Sequence, residues 1–217
     1  MFEYIFFDLD GTLTDPKEGI TGAAAYAAKH YLNIEITDRD TLLPFIGPPL
    51  DESFMKYFDL TPEQAKEAIA SYREYYRPRG VFENTVYEGI PEMLEKLKKA
   101  EKKVYMATSK PEYFALQIAE HYGFDKYFDG ITGSTMDGSL AKKADVLALA
   151  MRRAGDPEKN RCVMVGDRLH DIVGAHENGI TAVGVLYGYG SMEEFKKYSA
   201  DKTVATVSEL SEYLLSN

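Results

Sequence analysis

Tyr4-Ile5-Phe6-Phe7-Asp8-Leu9-Asp10-Gly11-Thr12-Leu13-Thr14 is the stretch on which the fold turns. Four apolar, β-prone residues run straight into two acids and a glycine, the pattern of a buried strand that ends in a turn. Three further runs share the character of the first four residues: Val104-Tyr105-Met106-Ala107, Cys162-Val163-Met164-Val165 and Thr181-Ala182-Val183-Gly184-Val185. Each reads as a buried strand of a parallel sheet. Helical patterns occupy residues 90–100, 112–122, 144–154 and 172–178, the last stopped by Gly179. Alternation of strands and helices implies crossover connections and a doubly wound α/β sheet.

One region breaks the alternation. Residues 16–79 carry no strong strand signal and three helical ones, at 20–32, 50–58 and 62–77, the last opening with Thr61 as N-cap and Pro62 at the first position. A structureless loop of that length is implausible, so this segment reads as a small helical insertion after the first strand. The α/β core then comprises residues 1–15 and 80–217. Tyr72, Tyr75 and Tyr76 fall at helical spacing and read as a packing stripe of the insertion.

Composition narrows the function classes. The chain of 217 residues has 25 basic and 35 acidic side chains, a net charge of −10 at pH 7. Such a charge repels phosphate backbones and anionic lipid, so neither nucleic acid nor membrane is expected as a partner. No run approaches the roughly 18 apolar residues that a spanning helix needs. The single cysteine, Cys162, forms no internal disulfide and sits in a buried strand, where it reads as inert. No signal peptide is visible, and a cytoplasmic location is expected. The four histidines show no metal-ligand spacing and read as structural.

The chemistry-bearing residues fall at strand ends. Asp8 and Asp10 lie at the carboxyl edge of the first strand, where open α/β sheets bind ligands. Two carboxylates so close need a cation between them, and Mg²⁺ prefers oxygen ligands; the same residues also fit an ordinary Asp-Gly turn. Gly166-Asp167-Arg168-Leu169-His170-Asp171 follows the third run, and both of its acids fit the same cation site, although Asp167 also fits a helix N-cap. Thr108-Ser109-Lys110-Pro111 follows the second run and offers a hydroxyl and free N–H groups at a helix start, which suit an anion; Thr108 also fits an N-cap. Lys142 and Lys143 open a helix, where a cation opposes the macrodipole unless an anion faces it. Tyr187-Gly188-Tyr189-Gly190 reads as a flexible loop near the same edge.

In combination these motifs resemble those of the haloacid dehalogenase-like hydrolases over nearly the whole chain. Asp8-Leu9-Asp10-Gly11-Thr12 resembles that family's nucleophile motif, Thr108 its hydroxyl motif, Lys143 its lysine motif, and Gly166-Asp167 with Asp171 its last acidic motif. The helical insertion, with Ile46-Gly47-Pro48-Pro49-Leu50 and the segment from Glu83 to Ile90, is similar to the α-helical cap of the phosphoglycolate phosphatase-like subgroup. The resemblance implies a Rossmann-like core with that cap. It implies that Asp8 attacks phosphorus and forms an aspartyl-phosphate, and that Asp10 protonates the leaving oxygen and later deprotonates water. It implies Mg²⁺ held by Asp8, the Asp10 carbonyl and Asp167, with Asp171 ligating directly or through water, and Thr108, the Ser109 N–H and Lys143 on the phosphoryl oxygens. The motif lysine is read as Lys143, with Lys142 as the alternative, because the familiar Lys-Pro-x-Pro pattern is missing. Dehalogenase members lack the second acid, so Asp10 selects phosphoryl transfer.

The function expected is therefore Mg²⁺-dependent hydrolysis of a small phosphorylated metabolite, phosphoglycolate-like, by a monomer or homodimer. The alternatives are a 5'-nucleotidase or pyrophosphatase of the same family and, behind these, a sugar-phosphate mutase or a non-catalytic phosphate-binding protein.

Overall fold

The computed structural model describes all 217 residues. In chain order the strands and helices are β1 (Tyr4–Phe7), β2 (Thr14–Asp15), α1 (Lys17–His30), α2 (Leu50–Phe58), α3 (Pro62–Tyr76), β3 (Thr85–Val86), α4 (Ile90–Lys99), β4 (Lys103–Pro111), α5 (Glu112–His121), β5 (Gly130–Ser134), α6 (Lys143–Arg153), β6 (Cys162–Gly166), α7 (Leu169–Asn178), β7 (Thr181–Val185), α8 (Met192–Lys197), β8 (Lys202–Val204) and α9 (Val207–Ser216). The chain divides into two units, one formed by Met1–Asp15 with Val86–Asn217 and the other by Pro16–Thr85.

The first unit is built on a six-stranded sheet of order β5-β4-β1-β6-β7-β8. Every pairing in it is parallel. The apolar runs supply its centre because strands covered by helices on both faces must be apolar throughout. Ile5, Phe6, Phe7, Val104, Met106, Val163, Met164 and Val165 are fully buried. The order reverses at β1, which lies between β4 and β6, so a crevice opens at the carboxyl ends of these three strands. Register carries this to residue level, since Phe7 pairs with Met106 on one side and with Val165 on the other. The next residues of all three strands therefore emerge side by side.

Four strands and two helices lie outside the sequence reading, and two of those strands, β2 and β3, are only two residues long. β5 contains two glycines and β8 is three residues long, and neither offers a continuous apolar run because each occupies a sheet edge. α8 and α9 follow the fifth of the sheet's six strands in chain order, and each opens on a hydroxyl N-cap, Ser191 and Thr206, which accepts from an N–H three residues on. Both caps are ordinary start signals that the sequence reading did not use.

The second unit holds α1, α2 and α3 around a small aromatic and alanine core. Ala23, Ala24, Ala27 and Ala28 of α1 and Ala65 and Ala68 of α3 are fully buried, which lets the two helices approach closely. Phe54 of α2 meets Phe45 edge-on at 5.0 Å. Tyr72 and Tyr76 stack at 5.3 Å, so this stripe is packing. Thr61 and Gln64 form a reciprocal capping box at the start of α3. The Gly19 N–H reaches the Glu83 carbonyl at 2.8 Å and the Tyr75 hydroxyl donates to Glu83 at 2.8 Å, which holds the returning segment within this unit.

Phe6 lies fully buried in the first unit beside Tyr105, with ring centroids 5.3 Å apart. Phe6→Ala is expected to cost about 3–5 kcal/mol of stability in urea unfolding, and a loss under about 1 kcal/mol would contradict this packing.

Candidate active site

The residue after β1 begins a tight turn. The Asp8 N–H donates to the Val165 carbonyl at 2.9 Å, and the N–H groups of Thr12, Leu13 and Thr14 all return to the Leu9 carbonyl. Gly11 sits in this turn at φ +81°, and a Cβ there would lie 2.1 Å from Asp167 Oδ2. Both facts require glycine. The turn thus brings Asp8 and Gly11 up against the acid that follows β6.

Asp8, Asp167 and Asp171 are buried, and one carboxylate oxygen from each lies within 4.8 Å of the others. At that separation each ionised pair repels by roughly 3–4 kcal/mol in an effective dielectric near 20. Lys143 offsets part of this. Its Nζ lies 2.8 Å from Asp8 Oδ1, 2.9 Å from Asp171 Oδ1 and 3.1 Å from the Ala107 carbonyl. Burial opposes its charge, yet Asp171 and Asp8 overcome that and lift its pKa to about 12. Lys142, in contrast, is exposed and pairs with Glu177 at 2.7 Å.

Asp10 turns away from that group. Its Oδ2 lies 2.9 Å from the Nζ of Lys110, both side chains being largely buried. Its Oδ1 is buried and has no hydrogen-bond partner. Burial raises the pKa of Asp10, and Lys110 acts against the rise. Lys110 is a site residue that sequence reading missed. The available signal was its position two residues after Thr108, on the same face of the strand.

Two local readings are corrected. Thr108 is a buried residue of β4, not a helix cap; α5 begins at Glu112, with Pro111 in the cap position and no side-chain cap. The strand continues because β4 bulges against β5 between Thr108 and Pro111. The Thr108 hydroxyl accepts from the Lys110 N–H at 3.2 Å, and Ser109 lies half-buried between them. Nor does Asp167 cap α7. Asp171 does so from inside the first turn, its Oδ2 accepting from the Arg168 N–H at 3.0 Å, which leaves Asp167 facing the acidic group.

The loop after β7 is the other departure from the sequence reading. Its Tyr189 N–H donates to Asp167 Oδ2 at 2.8 Å, and the Tyr187 hydroxyl donates to the Thr12 carbonyl at 3.0 Å. The Tyr189 hydroxyl donates to Asp15. A Cβ on Gly188 would lie 2.2 Å from the Gly11 carbonyl oxygen, so glycine is what allows this loop to close on the acids. It is a strap across the site and not a free loop.

The donor set suits a hard divalent cation. Asp167 Oδ1 is buried without a partner, while on Asp8 the bonds from the Leu9 N–H, at 2.8 Å, and from Lys143 both fall on Oδ1 and leave Oδ2 outside them. All three groups offer oxygen only, the ligand that magnesium and calcium take. Burial, followed by the charges of Asp171 and Asp8, pushes Asp167 well above the usual carboxylate range, and burial holds Asp171 at about 6 in spite of Lys143.

A family model described as haloacid dehalogenase-like hydrolase matches residues 5–185. A relative named 5'-nucleotidase from Pseudomonas aeruginosa is 42% identical over 98% of this chain and 96% of its own. A tyrosine-protein kinase of Mycobacterium tuberculosis is 39% identical over 98% of this chain and 72% of its own. A crystal structure described as a predicted phosphatase from Clostridium acetobutylicum covers 100% of both chains at 42% identity with a TM-score of 0.96.

A cation held by these three acids would compete with a proton for Asp171, and its binding would weaken as the pH falls through about 6. The rise in melting temperature on adding Mg²⁺ is therefore expected to be large at pH 8 and to shrink below pH 6. Equal rises at pH 5 and pH 8 in a thermal-shift titration would contradict the site.

Proposed function

We propose that this chain, which belongs to the haloacid dehalogenase-like hydrolase family, is a magnesium-dependent phosphatase of small metabolites that carries the phosphoryl group on Asp8. Its being a phosphoric monoester hydrolase follows from the family and from its relatives. The observation that carries the finer reading is the position of Asp8. Its Oδ1 is held by the Leu9 N–H and the ammonium of Lys143, its Oδ2 lies outside those bonds, and it heads a buried acidic group.

In the first half-reaction Asp8 Oδ2 attacks phosphorus, and the new O–P bond forms as the ester P–O bond breaks. Asp10 gives its proton to the departing oxygen. In the second half a water attacks the same phosphorus, its proton passes to Asp10, and Asp8 is released with inorganic phosphate. Thr108, the Ser109 N–H and Lys143 hold the phosphoryl oxygens, where fixed dipoles and charge supply most of the catalysis. Asp8, the Asp10 carbonyl, Asp167 and Asp171 would hold Mg²⁺, which would supply positive charge to the transferring group.

Nucleoside 5'-monophosphates come first as substrates, because the relative named 5'-nucleotidase matches end to end at 42% identity. Phosphoglycolate and pyrophosphate stand behind them. The tyrosine-protein kinase relative favours one second reading, in which the phosphoryl acceptor or donor is a tyrosine side chain. One acidic chain of this composition, with its lone cysteine buried, is also in keeping with a cytoplasmic enzyme.

Phosphate release from a panel of AMP, phosphoglycolate, sugar phosphates, pyrophosphate and phosphotyrosine, with Mg²⁺ and with chelator, tests this reading. Chelator-sensitive release is expected, strongest for AMP; release unaffected by chelator would remove the metal from the proposal, and none from any compound would remove the enzyme.

Asp8→Asn is expected to lower turnover by at least about a thousand-fold with unchanged circular dichroism. Lys143→Ala should cost on the order of 10²–10³ in kcat, and Lys142→Ala, which removes a solvated pair, should stay within about two-fold. Retained turnover in Asp8→Asn would overturn the nucleophile.

A further inference from the structure

Lys110 has no part in the phosphoryl chemistry just described, yet it is among the few lysines withdrawn from solvent. Its side chain is 5% exposed, and its Nζ lies 2.9 Å from Asp10 Oδ2. Burying an ammonium costs several kcal/mol unless a partner and good geometry offset it. The location of the lysine is also costly to build. The strand must run on past Thr108, bulge against β5, and place Thr108 and Lys110 on one face, with the Lys110 N–H returned to the Thr108 hydroxyl at 3.2 Å. Through this segment the ammonium is tied to the same strand end that carries Thr108.

The consequence for Asp10 is positional. A carboxyl group has two oxygens and a broad, nearly two-fold terminal torsion, so an unheld one can present either oxygen or neither. Here Oδ2 is taken by Lys110, and Oδ1 is buried with no partner. The turn beneath it is fixed by the Gly11 N–H, which donates to the Thr14 carbonyl at 2.7 Å. Asp10 is thus locked at its backbone and at one oxygen, and only Oδ1 stands ready to exchange a proton.

We propose that Lys110 is the positioning residue of the leaving-group acid: the hydrogen bond that its ammonium donates to Asp10 Oδ2 aims Oδ1 at the departing ester oxygen. This rests on the reading of Asp10 as that acid. In the first half-reaction the proton on Oδ1 moves to the leaving oxygen as the P–O bond breaks, and the carboxylate left behind stays paired to Lys110. In the second half the proton of the attacking water returns to Oδ1. Lys110 itself neither gains nor loses a proton and does not touch the phosphoryl group.

Leaving-group dependence separates this role from a structural or substrate-binding one. An alkyl phosphate releases a poor leaving group that needs the proton, whereas p-nitrophenyl phosphate releases a stable phenolate that does not. The quantity to measure is kcat/KM, which covers the steps up to departure of the leaving group. Lys110→Met is expected to lower kcat/KM about 10–100-fold for the best alkyl phosphate of the panel and under about three-fold for p-nitrophenyl phosphate, within the range of general acid catalysis. Lys110→Gln, which keeps the length and a weaker donor, serves where the methionine variant fails to fold, with the same selectivity expected. Lys110→Arg should restore the alkyl substrate to within about five-fold of the parent.

An equal loss for both substrates, a loss confined to KM, or no loss would overturn the proposal. Asp10→Asn, assayed beside them, tells the two failures apart. If it shows the leaving-group selectivity and the Lys110 variants do not, Lys110 has no positioning role and the acid stands. If Asp10→Asn shows none, the acid reading falls and the role of Lys110 falls with it.

Discussion

Three carboxylates that cannot share a buried space unaided set the terms for everything else in the first unit. Asp8, Asp167 and Asp171 sum to three negative charges when ionised, and Lys143 returns one. The two charges left over match one divalent cation. Repulsion of roughly 3–4 kcal/mol for each close ionised pair is too large for a domain of ordinary stability to carry without such compensation. Burial first, and neighbouring carboxylates after it, push Asp167 and Asp171 above the usual carboxylate range. A divalent cation placed among these acids would relieve that negative field.

Building this patch explains features that otherwise look arbitrary. The sheet order reverses at β1, which puts three strand ends together. Gly11 and Gly188 give up side chains so that a turn and a strap can press on Asp167. α6 begins with a lysine, against its own dipole, because that lysine reaches two carboxylates and a strand carbonyl. Each local rule that is broken here is offset by a charge or a close approach at the patch, as expected where function competes with regular structure.

Much of this was legible before any coordinates. Strands buried on both faces must be apolar runs, so the central strands β1, β4, β6 and β7 stand out, and acids placed directly after two of them have one edge of the sheet to occupy. The choice between Lys142 and Lys143 stayed open in the sequence, because both stand where the helix opens; the fold separates them, burying Lys143 against Asp8 and Asp171 and leaving Lys142 exposed beside Glu177. What was hidden lies at edges and in long-range pairing. β5 and β8 carry no continuous apolar run, and the end of β4 was masked by Pro111, which reads as a helix start. The partner of Lys110 is 100 residues away in the chain, and no spacing rule links them. Tyr187-Gly188-Tyr189-Gly190 reads as flexible because glycine signals freedom, whereas here it signals contact.

The central claim is that Asp8 carries the phosphoryl group. Enzyme turning over its best phosphomonoester in Mg²⁺ can be quenched in acid, reduced with borohydride and mapped by peptide mass. Reduction of an aspartyl-phosphate leaves homoserine, and the account places it at position 8 and at no other aspartate. Homoserine at Asp10, Asp167 or Asp171, or at no position while phosphate is released at full rate, would contradict it.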